Sequence, residues 1–171
     1  GKYETAFTGI GSKATPYQLD TKEQVAGYVD TFSGEKVYWD LDEDEQAVTY
    51  LKEIFNERKA KALELFESEQ IDKTREEALA VKAKYDEAMA LPEDADNDAI
   101  VASARDMQVV IDVYEDLIAQ QETVRTRNQE AKELYDSNGL VEQRLEAVAL
   151  IATVNEIQEI LDANALSTKT Y

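Results

Sequence analysis

The sequence predicts an all-α fold, an elongated antiparallel bundle of three long helices with a short N-terminal helix and an extended arm. Apolar side chains make up 43% of the 171 residues and recur at three- and four-residue steps, which is the helical period. The six Gly and two Pro lie mostly between those stretches. No internal repeat is evident, which argues against a solenoid. A helix of about 38 residues spans about 57 Å, so we expect a rod.

Residues 1–20 are predicted to form the extended arm, and residues 21–171 a single helical-bundle domain. Gly9, Gly11 and Pro16 interrupt any helical period in the arm. One interpretation is a loosely held tether, which is the usual state of a chain terminus. The other is an arm that docks on a neighbouring copy and forms a homo-oligomer. The apolar side chains for such docking are Tyr3, Phe7, Ile10 and Tyr17.

A short helix is predicted to follow the arm. Thr21 and Gln24 have the spacing of a capping box, and apolar residues continue at helical steps after them. Gly34 is suited to the left-handed backbone that often follows a helix end. The alternative is a β-hairpin through Ser33 and Gly34, because residues 35–39 are rich in strand formers.

The first long helix is predicted to begin near Asp42, because a run of acidic residues there would face the positive end of the helix dipole. Its apolar stripe changes phase at Ile71. Thr74 and Glu77 repeat the capping-box spacing. Either a new helix starts there, or one continuous helix carries a stutter, and the pattern leaves both open. The Leu-Pro pair at residues 91–92 ends the element.

Two further long helices complete the predicted bundle. Asn97 or Asp98 is expected to cap the second, whose apolar seam fades between residues 120 and 133. A polar helix of that kind projects beyond a bundle or runs along its surface. The third, from Leu140 to about Ala163, has a broad apolar face that predicts a central position. That face consists of Leu145, Val148, Ile151, Val154, Ile157, Ile160 and Leu161.

The charge balance excludes several classes of ligand. The chain has 18 Lys and Arg against 37 Asp and Glu, a formal charge of −19. Residues 1–39, 40–99 and 100–171 are each net negative, so no basic cluster is present to bind nucleic-acid phosphates or an anionic membrane. No stretch is apolar for long enough to span a bilayer, so we expect no direct membrane insertion.

The composition also argues against an enzyme, and we expect no catalytic residue, no cofactor and no metal site. The chain has no His and no Cys, which excludes histidine-assisted nucleophiles, thiolate chemistry and zinc sites of the usual kinds. Two runs of alternating Asp resemble the start of a calcium-binding loop, but both lack the Gly and Glu that such a loop needs. We interpret them as helix starts. They are Asp40, Asp42 and Asp44, and then Asp94, Asp96 and Asp98.

Four aromatic residues are the candidate partner-binding residues: Tyr38, Trp39, Tyr114 and Tyr135. Tyr38 and Trp39 lie in the link before the first long helix, where aromatic side chains could anchor a partner. Tyr114 and Tyr135 lie on the second long helix and could form a ledge for sugar rings or a protein. Core packing is the alternative for Tyr114, and its apolar neighbours at helical spacing favour that alternative.

Several stretches between about residue 57 and residue 171 follow one another in a recognisable order. They are residues 69–77 (EQIDKTREE), 113–117 (VYEDL) and 132–135 (KELY), then Asn155 and Ala163-Asn164. This order of features resembles the cell-wall-binding lipoproteins of Gram-positive bacteria. The resemblance implies an extended helical bundle outside the cytoplasmic membrane, with no catalytic residues to transfer. It also implies a tether through a lipidated Cys in a segment before Gly1.

We therefore expect a non-enzymatic, extracytoplasmic helical-bundle binding protein at the cell surface. Its partner would be a cell-wall polymer or a surface protein, and nucleic acid is not expected. The alternative is a structural subunit of a virion, phage tail or surface appendage, with residues 1–20 reaching a neighbour. A third hypothesis, a carboxylate-based cation binder, predicts that millimolar calcium changes the melting temperature.

Overall fold

The computed structural model describes residues 18–34, 44–137 and 145–166. They form five helices: α1 (Lys22–Thr31), α2 (Glu45–Ser68), α3 (Glu76–Met89), α4 (Asn97–Ser137) and α5 (Leu145–Asp162). No strand occurs in these three ranges, so the all-α prediction is confirmed for them. The apolar residues of the predicted arm, Tyr3, Phe7, Ile10 and Tyr17, lie outside the described residues.

Helix α1 begins with the predicted capping box. The Thr21 hydroxyl accepts a hydrogen bond from the Gln24 amide at 3.1 Å, and the Gln24 side chain accepts one from the Thr21 amide at 3.1 Å. Gly34 adopts a left-handed φ of +85° just after the helix. Val25 and Val29 are fully buried, which fixes α1 on the bundle. The β-hairpin alternative depended on residues 35–39, which the structure does not describe.

The first predicted long helix is two helices. Helix α2 starts after Asp44, whose side chain accepts a hydrogen bond from the Ala47 amide at 3.0 Å, as expected of an N-cap. It ends at Glu69, which has a left-handed φ of +55°. Since an L-residue in that conformation cannot continue a right-handed helix, the stutter alternative is wrong.

The turn between α2 and α3 differs from the predicted cap at Thr74. The residue before α3 is Arg75, which makes no side-chain capping bond. Asp72 organises the turn, because its carboxylate accepts hydrogen bonds from the Thr74 amide at 2.8 Å and from the Thr74 hydroxyl. These two bonds lower the pKa of the Asp72 carboxyl below its usual value.

Helices α2 and α4 are parallel neighbours. Hydrogen bonds at three levels join α2 and its following turn to α4: Arg58 donates to the Ala104 carbonyl at 2.8 Å, Tyr114 to the Leu65 carbonyl at 2.8 Å and Gln121 to the Gln70 carbonyl at 3.0 Å. The residue numbers rise together in both segments, which fixes the direction. Helix α3 packs against both of them. The fully buried core includes Leu51, Ile71, Val81, Val101, Met107, Ile111, Tyr114 and Leu117.

The start of α4 lies one residue away from the predicted cap. The Asp96 carboxylate accepts a hydrogen bond from the Ala99 amide at 2.8 Å, so Asp96 caps the helix rather than Asn97 or Asp98. At 41 residues α4 is about 60 Å long. Helices α1, α2 and α3 pack along its first part, and α5 packs farther along it.

Helix α5 does not have the central position that its apolar face predicted. Its main neighbour is α4, and its C-terminal end contacts the α2–α3 turn. Val154 and Leu161 are buried, but Val148 and Ile160 are 52% and 42% exposed. Helices α1, α2 and α3 already pack on the first part of α4, whereas α5 packs farther along it and keeps one side open.

The C-terminal end of α5 is locked in a left-handed turn. Asn164 has φ +52°, and the amides of Asn164 and Ala165 donate to the carbonyls of Leu161 and Ile160, both at 3.0 Å. This pairing is a Schellman motif. The Asn164 side-chain amide donates to the Glu69 carbonyl at 3.2 Å, and the main-chain carbonyl of Asn164 accepts from the Asp72 amide at 3.0 Å. The turn therefore ties α5 to the α2–α3 turn.

Replacing Asn164 by alanine is expected to lower the free energy of unfolding by about 1–2 kcal/mol. Alanine is strained at positive φ and removes the hydrogen bond to Glu69. Asn164→Gly is the matched control, since glycine adopts positive φ freely and loses only the amide. Urea unfolding should place the glycine variant between the wild type and the alanine variant. Equal losses for the two variants would show that the left-handed backbone contributes nothing.

Candidate functional site

The structure describes two of the four predicted partner-binding aromatic residues. Tyr38 and Trp39 lie outside the described residues. Tyr114 and Tyr135 are both on α4, but Tyr114 is fully buried whereas Tyr135 is half-buried. The structure therefore brings together no group of exposed aromatic side chains within the ranges that it describes.

Tyr114 is a core residue whose hydroxyl holds the α2–α3 turn. The hydroxyl donates to the Leu65 carbonyl at 2.8 Å and accepts from the Ile71 amide at 3.0 Å. With 0% of its surface exposed, the side chain cannot reach a partner. The prediction that Tyr114 binds a partner is wrong, and the core-packing alternative is correct. The physical reason is the break between α2 and α3, which leaves the Ile71 amide inside the core. A buried amide needs a hydrogen-bond acceptor, and the Tyr114 hydroxyl provides it.

Two buried polar residues continue the line of Tyr114 along α4. Gln121 and Asn128 follow it at seven-residue steps, and each is only 5% exposed. Seven residues are close to two helical turns, so all three lie on nearly the same side of α4. The seven-residue spacing was visible in the sequence. Because the apolar seam ends before these two residues, however, the stretch from residue 120 to residue 133 was interpreted as a polar, exposed part of the helix.

Asn128 sets the alignment of α5 on α4. Its side-chain amide donates to the Val154 carbonyl at 3.0 Å and to the Gln158 side chain at 3.4 Å. Residue 128 of α4 thus lies beside residue 154 of α5. The turn at the end of α5, at residue 164, lies beside the α2–α3 turn, which is bonded to residues 114 and 121 of α4. The two helices are therefore antiparallel. The buried Asn128 side-chain oxygen has no hydrogen-bond partner, and burying a polar group in this way restricts the alternative alignments.

The open side of α5 carries exposed aliphatic and small side chains, among them Val148 at 52% and Ile160 at 42% exposure. We call it the outer face of α5, and it comprises Val148, Ala149, Ala152, Glu156, Glu159 and Ile160, which are all exposed. Residues 147–155 contain no charged side chain. A helical segment without charge normally packs against other protein on more than one side. This face is therefore the candidate functional site.

Four carboxylates lie on α5, on or beside this face, and none of them pairs with a cation of the described ranges. Residues 145–166 contain Glu146, Glu156, Glu159 and Asp162 but no Lys or Arg. None of the ion pairs in the described ranges involves these four residues. On α2 and α3, by contrast, several lysines lie beside acidic residues, as Lys82 does beside Asp86.

A second buried polar group lies where α1 crosses the bundle. Arg58 Nη1 contacts Asp30 Oδ1 and the Ala104 carbonyl, both at 2.8 Å, and the Asp30 and Arg58 side chains are each 5% exposed. Burial raises the pKa of the Asp30 carboxyl above its usual value, and the Arg58 guanidinium opposes that shift. The pair joins α1 to α2 and α4, which is a structural role.

The alternating Asp runs are helix starts where the structure describes them. Asp44 caps α2 and Asp96 caps α4, whereas Asp40 and Asp42 lie outside the described residues. In the described ranges no cluster of Asp or Glu is arranged to hold a metal ion. None of the helices there is long and apolar enough to cross a membrane.

Comparison with protein-family models, curated proteins and solved structures finds no match for this chain.

Proposed function

We propose that the protein is a non-enzymatic, extracytoplasmic binding protein whose partner is a surface protein that docks on the α4–α5 pair. The observation that carries the proposal is the outer face of α5. Val148 is 52% exposed and Ile160 is 42% exposed on a helix whose first half has almost no charge. Burying such side chains against a partner releases free energy in proportion to the apolar area covered.

A protein partner fits this surface better than a wall polymer. Stacking against sugar rings needs exposed aromatic faces, and Tyr114 is unavailable because it is in the core. Of the predicted aromatic residues in the described ranges, only the half-buried Tyr135 remains. The outer face of α5 instead offers aliphatic and small side chains, which pack against another helix or an apolar protein surface.

The proposed location and shape rest on the sequence. A chain without Cys is compatible with an oxidising compartment, and the resemblance to wall-binding lipoproteins implies a place outside the cytoplasmic membrane. In this proposal the helices form an elongated antiparallel bundle, with α2 and α3 in place of the first of the three long helices. Helix α5 would then present its outer face on the side opposite to α4.

Photo-crosslinking in the source cells tests the proposal. Val148 is replaced by benzoylphenylalanine, and the matched control carries the same replacement at Val109, an α4 residue that is 58% exposed. We expect a discrete protein adduct at position 148 and none at position 109. The adducted protein is then identified by mass spectrometry and must bind the purified chain.

Other results at position 148 would identify a different function. A heterogeneous polymer adduct would replace the protein partner by a wall polymer. An adduct with a second copy of the chain, accompanied by high-mass particles, would favour the assembly-subunit alternative. The absence of any adduct at position 148 would overturn the proposal.

A further inference from the structure

We propose that the segment which docks on the outer face of α5 is a cationic amphipathic helix. This inference rests on the proposed function and adds the chemistry of the partner. The exposed apolar side chains favour a partner that is apolar on one side. The carboxylates, which form no ion pair within the described ranges, favour a partner with positive charge.

The first half of the outer face provides an apolar contact surface. Val148 and Ala152 are one turn apart, Ala149 lies beside them, and all three are exposed. Alanine side chains allow a second helix axis to approach closely, and the valine supplies a ridge that fits into a groove of the partner. A partner helix therefore needs apolar residues at helical spacing opposite these positions.

The second half of the outer face provides the charge. Glu156 and Glu159 are separated by one helical turn, both are exposed, and no Lys or Arg occurs in residues 145–166. The last turn of α5 also carries the negative end of its helix dipole, which attracts cations to the same end. A partner with Lys or Arg there gains attraction from both sources.

The charge pattern argues against a second copy of the chain as the occupant. Two α5 helices packed through their outer faces would place four carboxylates in one interface, Glu156 and Glu159 of each copy, with no Lys or Arg from residues 145–166. Like charges of this kind repel and weaken association. The stretch from Val148 to Glu159 is about 17 Å long, which a partner helix of about three turns would cover.

A designed peptide tests the chemistry of the partner. The probe is a fluorescein-labelled peptide of about 18 residues made of Leu, Ala and Lys, with Leu on one helical stripe and Lys beside it. A second peptide has the same composition in an order that destroys the stripe, and a third has Glu in place of Lys. Fluorescence anisotropy measures binding to the full chain at low and high salt.

We expect the amphipathic Lys peptide to bind, and the other two to bind at least about tenfold more weakly. Val148→Asp should weaken binding about tenfold, while Val109→Asp, at an equally exposed valine of α4, should change it by less than about twofold. Ala152→Gln supplies a second test and should also weaken binding, because the longer side chain keeps the peptide helix from approaching closely. Glutamine is a good helix former, so this exposed position tolerates it. Circular dichroism confirms that each variant is folded.

The charge is tested by a matched pair of double variants. Glu156→Gln with Glu159→Gln should weaken binding and reduce its dependence on salt. Glu93→Gln with Asp94→Asn, which removes the same charge from the exposed α3–α4 turn, should leave binding unchanged.

Two results would overturn the inference. Equal losses for Val148→Asp and Val109→Asp would show that the peptide is held by general attraction to an acidic protein. Absence of binding by the amphipathic Lys peptide would show that the partner has another chemistry. In either case the proposed function would still stand if a protein adduct forms at position 148 in cells. The proposed function itself fails only if that adduct is absent.

Discussion

Arg58→Met is expected to lower the free energy of unfolding by about 3–5 kcal/mol at neutral pH. Methionine has a similar length and no charge, so Asp30 would remain buried without its cation. In the wild type the two side chains are in contact at 2.8 Å and both are 5% exposed. The large effect comes from the carboxylate left behind, since a buried ion pair by itself adds little stability. Urea unfolding measures the loss.

The loss should shrink when the pH falls from about 7 to about 5. Burial raises the pKa of the Asp30 carboxyl, and nearby Asp112 raises it further, while Arg58 lowers it. Without Arg58 the pKa rises more. A raised pKa means that the folded protein binds this proton more tightly than the unfolded chain. Protonation therefore stabilises the fold as the pH falls through the raised pKa, and that contribution is lost as the pH rises.

Asp30→Asn supplies the control for this prediction. In the Asp30→Asn background no carboxylate is left unpaired, so adding Arg58→Met should cost at least about 1 kcal/mol less than it does in the wild type. The difference between the two costs isolates the effect of the stranded charge. A cost below about 1 kcal/mol for Arg58→Met in the wild type, or a cost that does not change with pH, would contradict the prediction.

The helices were predictable because their signals are local. The capping box at Thr21 and the Gly34 that follows α1 depend on residues within a few positions of each other, and the structure confirms both. The break between α2 and α3 was visible as a phase change at Ile71. Its outcome was not predictable, because it is decided by side chains distant in sequence, namely Tyr114, Gln121 and Asn164.

The candidate site was less predictable than the fold. The apolar residues of α5 predicted a buried central helix, but periodicity reports which residues avoid water and not which surface covers them. The structure places one side of α5 on α4 and leaves Val148 exposed. For Tyr114, the sequence favoured core packing, although the residue was also a candidate for partner binding. Only the hydrogen bonds to Leu65 and Ile71 decide between the two interpretations.

Tyr114→Phe is expected to lower the free energy of unfolding by about 2 kcal/mol. Phenylalanine keeps the ring in the core but removes the hydroxyl that accepts from the Ile71 amide at 3.0 Å. That amide would lie unpaired in a buried turn. The Leu65 carbonyl also loses a donor, but it still accepts from the Ser68 hydroxyl at 2.6 Å, so most of the loss falls on Ile71.

Two measurements separate this structural role from partner binding. Amide hydrogen exchange at Ile71 should become faster in Tyr114→Phe, and Tyr85→Phe, at a half-buried tyrosine of α3, should cost less than about 0.5 kcal/mol and leave Ile71 unchanged. Crosslinking at position 148 should persist in Tyr114→Phe, because the hydroxyl faces the α2–α3 turn and not the outer face of α5. Loss of the adduct at wild-type stability would return Tyr114 to the partner-binding residues and contradict the role assigned to its hydroxyl.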